Sequence, residues 1–321
     1  MRLATYTERT EPVSARTGTA HLGLILGDSM INLAAAAREL GLGGVPDDMI
    51  SFIADGERAL TTARQVAEKI DATTVDPTSN IQHPTSPRPL PLALVRLLAP
   101  IPRPARNVVC VGLNYADHVA ESKSVVGATL PEYPVFFTKP ATCVIGPDDA
   151  IPWHPHVSTS IDWEVELAVI IGREGRDIAE ADALEYVFGY TVANDVTARD
   201  LQQRHGQWYK GKGLDGFCPL GPSVVTADEI VDPQQLDISL RVNSVEKQRS
   251  NTRFHIFPVA RLIAEWSAGM TLLPGDILLT GTPSGVGVGR TPPEFLRPGD
   301  VVEAEVAGIG VLRSSVADLP A

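Results

Sequence analysis

Asp162-Trp163-Glu164-Val165-Glu166-Leu167-Ala168-Val169 sets two carboxylates two positions apart at the mouth of an apolar run that continues to Ile171. Side chains of a strand alternate faces, so Glu164 and Glu166 project the same way, with β-carbons roughly 6–7 Å apart. The opposite face reads Val165, Leu167, Val169, Ile171 and has no polar member. Burying unpaired charge costs several kcal/mol. A strand buried on both faces therefore needs a counter-charge here, and a hard divalent cation held by oxygens supplies it. An edge strand with one solvated face is the plain alternative, with both glutamates in water.

A third carboxylate, Asp195, ends the apolar stretch Tyr190-Thr191-Val192-Ala193-Asn194. It stands just before a helix expected over Thr197–Arg204, where an aspartate often serves as N-cap. Joined to Glu164 and Glu166, it completes a set of three that suits octahedral Mg²⁺ or Mn²⁺. In Asn114-Tyr115-Ala116-Asp117-His118-Val119-Ala120-Glu121, His118 and Glu121 are i and i+3 neighbours if Ala116 onward is helical. A carboxylate on one imidazole nitrogen raises basicity at the other, which suits a general base; an incidental surface contact has the same spacing. Lys212 lies among glycines in Tyr209-Lys210-Gly211-Lys212-Gly213, either solvated or placed to act on an enolate oxygen. The run Gly281-Thr282-Pro283-Ser284-Gly285-Val286-Gly287-Val288-Gly289 fits neither a P-loop nor a dinucleotide fingerprint. It reads as a tight loop offering N–H groups and the Thr282 hydroxyl to a carboxylate. His154 and His156, split by Pro155, are weak candidates for zinc.

The 321 residues suffice for one large domain or two smaller ones. A net charge of −12 argues against nucleic acid or an anionic membrane as partner, while leaving room for a small anionic substrate held by a cation. Met1–Glu11 shows no signal-peptide pattern, and no run reaches the length of a membrane span. Cys110, Cys143 and Cys218 read as small core residues in a reduced, cytoplasmic protein. Residues 1–72 read as a small α+β unit: a hairpin around Gly27-Asp28-Ser29, then helices over 34–40 and 47–70, with Pro46 at the start of the second and a break at Gly56. Prolines crowd residues 73–103, which marks a linker. From 104 to 321 the texture is short strands and turns, predicting strands at 108–111, 135–137, 164–171, 188–193, 238–242, 277–280, 301–306 and 310–313, with helices at 116–122 and 259–266.

Six blocks in order resemble the fumarylacetoacetate hydrolase family: Gly112-Leu113-Asn114-Tyr115 with His118 and Glu121; Phe137-Thr138-Lys139-Pro140; Asp162-x-Glu164-x-Glu166; Asn194-Asp195 through Asp200; Lys212 ahead of Cys218-Pro219-Leu220-Gly221-Pro222; and Leu279 through Gly287. The resemblance covers residues 104–318. It implies an α+β, β-dominated fold, a mixed β-sheet roll preceded by a small α+β N-terminal domain, in a homodimer. It also implies Mg²⁺ or Mn²⁺ on Glu164, Glu166 and Asp195, catalysis by His118, Glu121 and Lys212, and substrate contacts from Arg199, Gln202 and Thr282. Asn114 stands where members resembling the eukaryotic hydrolase carry a fourth metal-binding aspartate, which points to the subgroup acting on smaller oxo acids. The implied reaction is hydrolytic C–C cleavage of an acylpyruvate-like β-diketo acid, releasing pyruvate. Decarboxylation or enol–keto isomerisation of a 2-oxo diacid such as oxaloacetate is the alternative, and an idle oxo-acid-binding member a third reading. The substrate's tail is expected to meet residues 118–134 and the N-terminal unit.

Overall fold

The computed structural model describes residues 1–9, 19–74, 88–126 and 129–318; residues 75–87 of the proline-rich segment lie outside the described residues. Val165–Ile171 is buried at every position and occupies the middle of a twelve-stranded mixed sheet. It pairs antiparallel with Val187–Asn194 on one side and Ile277–Leu279 on the other. Beyond Ile277–Leu279 the sheet continues through Val108–Gly112, in parallel, to Val135–Lys139. Beyond Val187–Asn194 it runs through Cys218–Thr226, Arg2–Glu8, His21–Leu26 and Ser29–Asn32 to Leu90–Pro91. The ladder thus passes unbroken between the N-terminal and C-terminal parts of the chain. Val95–Leu97, also from the proline-rich segment, pairs with Arg2–Glu8.

Burial on both faces explains the sequence of the central strand. Its odd-numbered side chains Leu167, Val169 and Ile171 share a core with Ile238, Leu240, Val302, Ala304 and Leu312. Those residues belong to a five-stranded sheet built from Val245–Asn251, Asp237–Val242, Val301–Val306, Gly310–Ala317 and Ala150–Pro152. Its even-numbered Ala168 and Ile170 share a second core with Phe52, Ile53, Ala63 and Val66 from the helices Met49–Asp55 and Glu57–Thr74. The fold is α+β with strands dominant, as expected.

The hairpin His21–Leu26/Ser29–Asn32 and the helix break at Gly56 stand where the sequence puts them. Pro46, however, precedes the helix; Asp48 is the cap, its side chain accepting from Ser51 N at 2.9 Å. Two strands central to the sheet were not anticipated. Arg2–Glu8 is charged only near its ends, and Leu3 to Tyr6 are buried. Cys218–Thr226 contains Pro219 and Pro222, residues that argue against an interior strand. Pro222 is tolerated because the register against Val187–Asn194 shifts between Tyr190 and Val192, opposite it. Thr197–Ala198 pairs with Ile161–Asp162 instead of opening a helix, which starts at Arg199.

Phe52 meets Phe188 edge-to-face at 6.2 Å and is fully buried, tying the N-terminal helices to the central sheet. Phe52→Ala is expected to destabilise the chain by about 3–5 kcal/mol in chemical denaturation; a loss below about 1 kcal/mol would mean that this helix is not packed on the sheet.

Candidate metal centre

Val165 stands opposite Asn194 at the end of the central ladder. Immediately beyond, Asp195 N–H donates to the Glu164 carbonyl at 2.8 Å, and Glu164 N–H donates to Asn194 Oδ1 at 3.0 Å. Two neighbouring strand ends are thereby held level. One carboxylate oxygen from each of Glu164, Glu166 and Asp195 lies within 4.8 Å of the others, and all three residues are buried. The water-exposed alternative for the glutamates does not hold. Neither does the N-cap alternative for Asp195, because the helix at Arg199 is preceded by Ala198.

Three cations crowd the acids. Lys212 Nζ lies 2.7 Å from both Glu164 Oε2 and Asp195 Oδ2. Arg199 places Nη2 at 2.7 Å from Glu164 Oε1 and donates from Nε to Asp162 Oδ2 at 2.8 Å. Lys139, fully buried, donates to Asp195 Oδ1 at 2.5 Å and to the Val196 carbonyl at 3.1 Å. Burial pushes the Glu164 carboxyl up, but Lys212 and Arg199 outweigh it and hold the group below the usual carboxylate range. Burial likewise works against the charged form of Lys139, and Asp195 reverses it, raising the ammonium above its ordinary value. Glu166 goes the other way. Burial, then Asp195 and Glu164, push its carboxyl well above normal, and among the described residues its hydrogen-bond partner is the Gly281 N–H at 2.6 Å. Positive charge is short on the Glu166 side, and the donors offered are all oxygens. That set fits a hard divalent cation such as Mg²⁺ or Mn²⁺. The three carboxylates can therefore hold a divalent metal, and they are the one such cluster among the described residues. His154 and His156, with rings 6.2 Å apart, do not form one.

Glu164 and Glu166 open into a cavity of about 470 Å³ that is also lined by His118, Arg199, Gln202, Lys212 and Thr282, with Asp195 buried beside it. The sequence-derived candidates thus meet at one place. His118 Nδ1 is 3.4 Å from Glu121 Oε2, at the start of the helix Ala116–Val126. Glu121 also accepts from Gly285 N–H at 3.1 Å, and Asp117 accepts from the Ser284 hydroxyl at 2.8 Å. A Cβ on Gly289 would come within 2.4 Å of the Glu121 side chain, so a larger residue there would push that carboxylate aside. The amides of the loop do go to carboxylates, and these belong to the protein: Gly281 to Glu166, Gly285 to Glu121, Gly287 and Val288 to Asp162.

Asn114 is not aimed at the acids. Its amide bridges the Phe257 and Thr280 carbonyls and the Phe257 N–H, clamping two loops together. Gln248 escaped the sequence reading; it joins Val165 N–H to the Thr282 hydroxyl, 2.8 Å from its Nε2. Asp162 and Lys139 also went unassigned. Asp162 carried a signal, the same parity in sequence as Glu164 and Glu166, although it ends the separate short strand Ile161–Asp162.

The mixed sheets and the buried carboxylate triad define a metal-site protein, and residues 107–317 match the model described as "Fumarylacetoacetate (FAA) hydrolase C-terminal". This chain belongs to that family. It is 42% identical over 297 residues, 92% of its length and 95% of the relative's, to oxaloacetate tautomerase YisK of Bacillus subtilis (strain 168). It is 46% identical over 273 residues, 85% of its length and 80% of the relative's, to mitochondrial oxaloacetate tautomerase Fahd2a of Rattus norvegicus. A solved maleylpyruvate hydrolase from Sphingobium sp. SYK-6, in complex with manganese (II) ion and pyruvate, superposes with a TM-score of 0.74 at 29% identity, covering 100% of both chains.

Glu166→Gln removes the acid that burial most disfavours. The metal-free variant is expected to be more stable than the parent, by about 1–2 kcal/mol, and to melt higher, while its Mn²⁺ affinity drops at least about 100-fold. Calorimetric titration and thermal melts check both; unchanged affinity would remove Glu166 from the donor set.

Proposed function

We propose that this chain interconverts the enol and keto forms of a small 2-oxo diacid of the oxaloacetate class. One juxtaposition carries the reading: the buried Lys212 ammonium, 2.7 Å from Glu164 and from Asp195, lines the same cavity as Thr282 and His118. The two tautomerase relatives, at 42% and 46% identity, support it over hydrolysis. Glu164, Glu166 and Asp195 would hold a Mg²⁺ or Mn²⁺, which would supply Lewis-acid stabilisation of negative charge on the substrate.

The chain's own side chains do the rest. Thr282 Oγ1 accepts from Gln248, which leaves its hydroxyl proton free to hold one substrate carboxylate. Arg199, which also donates to Gln202 Oε1 at 3.2 Å, reads the second. Lys212 Nζ hands a proton to C3 or takes it back. His118, steadied at Nδ1 by Glu121, presents Nε2 to the enol proton.

Hydrolytic C–C cleavage, the leading expectation from the sequence, becomes the second reading. The His118–Glu121 contact favours it, because the same pair can activate a water. The hydrolase relative that supports it is less similar, at 29% identity. A homodimer in a reducing cytoplasm goes with either reading, and the three free, buried cysteines suit that setting.

The test couples ketonisation of enol-oxaloacetate to malate dehydrogenase. Expected is acceleration that needs Mg²⁺ or Mn²⁺ and that falls by about 10²–10⁴-fold in Lys212→Met. Pyruvate release from an acylpyruvate outpacing ketonisation would reverse the order of the two readings.

A further inference from the structure

The cavity is larger and greasier than a four-carbon diacid needs. Pockets of about 300 Å³ and above suit drug-sized ligands, and this one holds about 470 Å³. Its charged lining residues are Glu164, Glu166, Arg199 and Lys212, with His118 beside them, and both cations are already paired with Glu164. Beyond Arg199, which reads the diacid's second carboxylate, the wall includes Gly112, Leu113, Phe137, Trp208 and Val288, an uncharged and largely apolar surface.

Three observations show that this apolar wall is built. Trp208 stands edge-to-face on Phe137 at 5.3 Å, and Phe137 in turn lies 5.1 Å from Lys212 Nζ. The wall is therefore next to the group that moves the proton. Trp208 also lies so close over Gly112 that a Cβ there would sit 2.2 Å from its ring. Finally, Leu113 has φ +59. A branched side chain in the left-handed region costs roughly 1–2 kcal/mol, a strain that persists mostly at ligand sites. Leu113 keeps that conformation while lining the cavity, and Trp208, Phe137 and Leu113 are all only half-buried.

We propose that the site also takes 2-oxo acids whose C3 carries an aryl or other apolar tail, the tail packing against Trp208, Phe137 and Leu113. The inference rests on the tautomerase reading and deepens it. It also moves tail recognition away from the N-terminal unit. The reaction is the same transfer: the O–H bond at C2 breaks, a C–H bond forms at C3, and no co-reactant is consumed. An aromatic tail offers Trp208 and Phe137 the edge-to-face geometry they already make with each other.

Phenylpyruvate and oxaloacetate are compared as enols, with the Mg²⁺-loaded chain, by the decay of enol absorbance. Both are expected to turn over. Trp208→Ala is expected to lower the ratio of kcat/KM for phenylpyruvate to that for oxaloacetate at least about tenfold. Leu113→Gly guards against a folding artefact, since glycine relieves the strained φ. It is expected to melt no lower than the parent and still to lower the ratio at least about fivefold. Turnover of oxaloacetate without phenylpyruvate, or an unchanged ratio in both variants, overturns this inference alone. Turnover of neither overturns the tautomerase reading and this inference with it.

Discussion

The structure depends on keeping three acidic side chains together in its interior. Glu164, Glu166 and Asp195 come from the ends of two adjacent strands, and a pair of hydrogen bonds between Glu164, Asn194 and Asp195 sets those ends level. A one-residue slip in that register would turn the side chains to the opposite face and scatter the acids. Holding the register falls to the sheet on both sides and to the two cores that sandwich it.

Charge compensation then shapes the surroundings. Lys139 holds one oxygen of Asp195 from behind, while Lys212 and Arg199 approach from the cavity. Asp162 in turn fixes Arg199 and takes two amides of the glycine loop. The loop that positions Thr282 is thus tied to the same electrostatic unit as the acids. Through Gly285 and Ser284 that loop also seats the helix carrying His118 and Glu121. Hydrogen bonds thus link the triad's surroundings to the helix Ala116–Val126.

Local pattern made much of this legible. The parity of Glu164 and Glu166, the apolar opposite face and the helix break at Gly56 each follow from neighbours in sequence. The order of six short blocks then pointed to the family. What sequence left unread was set by distant partners. Lys139 meets Asp195 across 56 positions, and Gln248 meets Val165 across 83. Cys218–Thr226 looked too rich in proline for an interior strand until a register shift opposite Pro222 made room. The apolar wall of the cavity is gathered from residues 112, 113, 137, 208 and 288, and no single segment carries its pattern. The proposed preference for tautomerisation over hydrolysis rests on similarity to whole relatives, because the local motifs are compatible with both reactions.

Anomalous diffraction from crystals soaked in Mn²⁺ tests the central claim most directly. The account predicts one strong peak bonded to oxygens of Glu164, Glu166 and Asp195, with Lys139 still on Asp195 Oδ1. A peak elsewhere, such as beside His154 and His156, with the triad left to Lys212 and Arg199 alone, would contradict it.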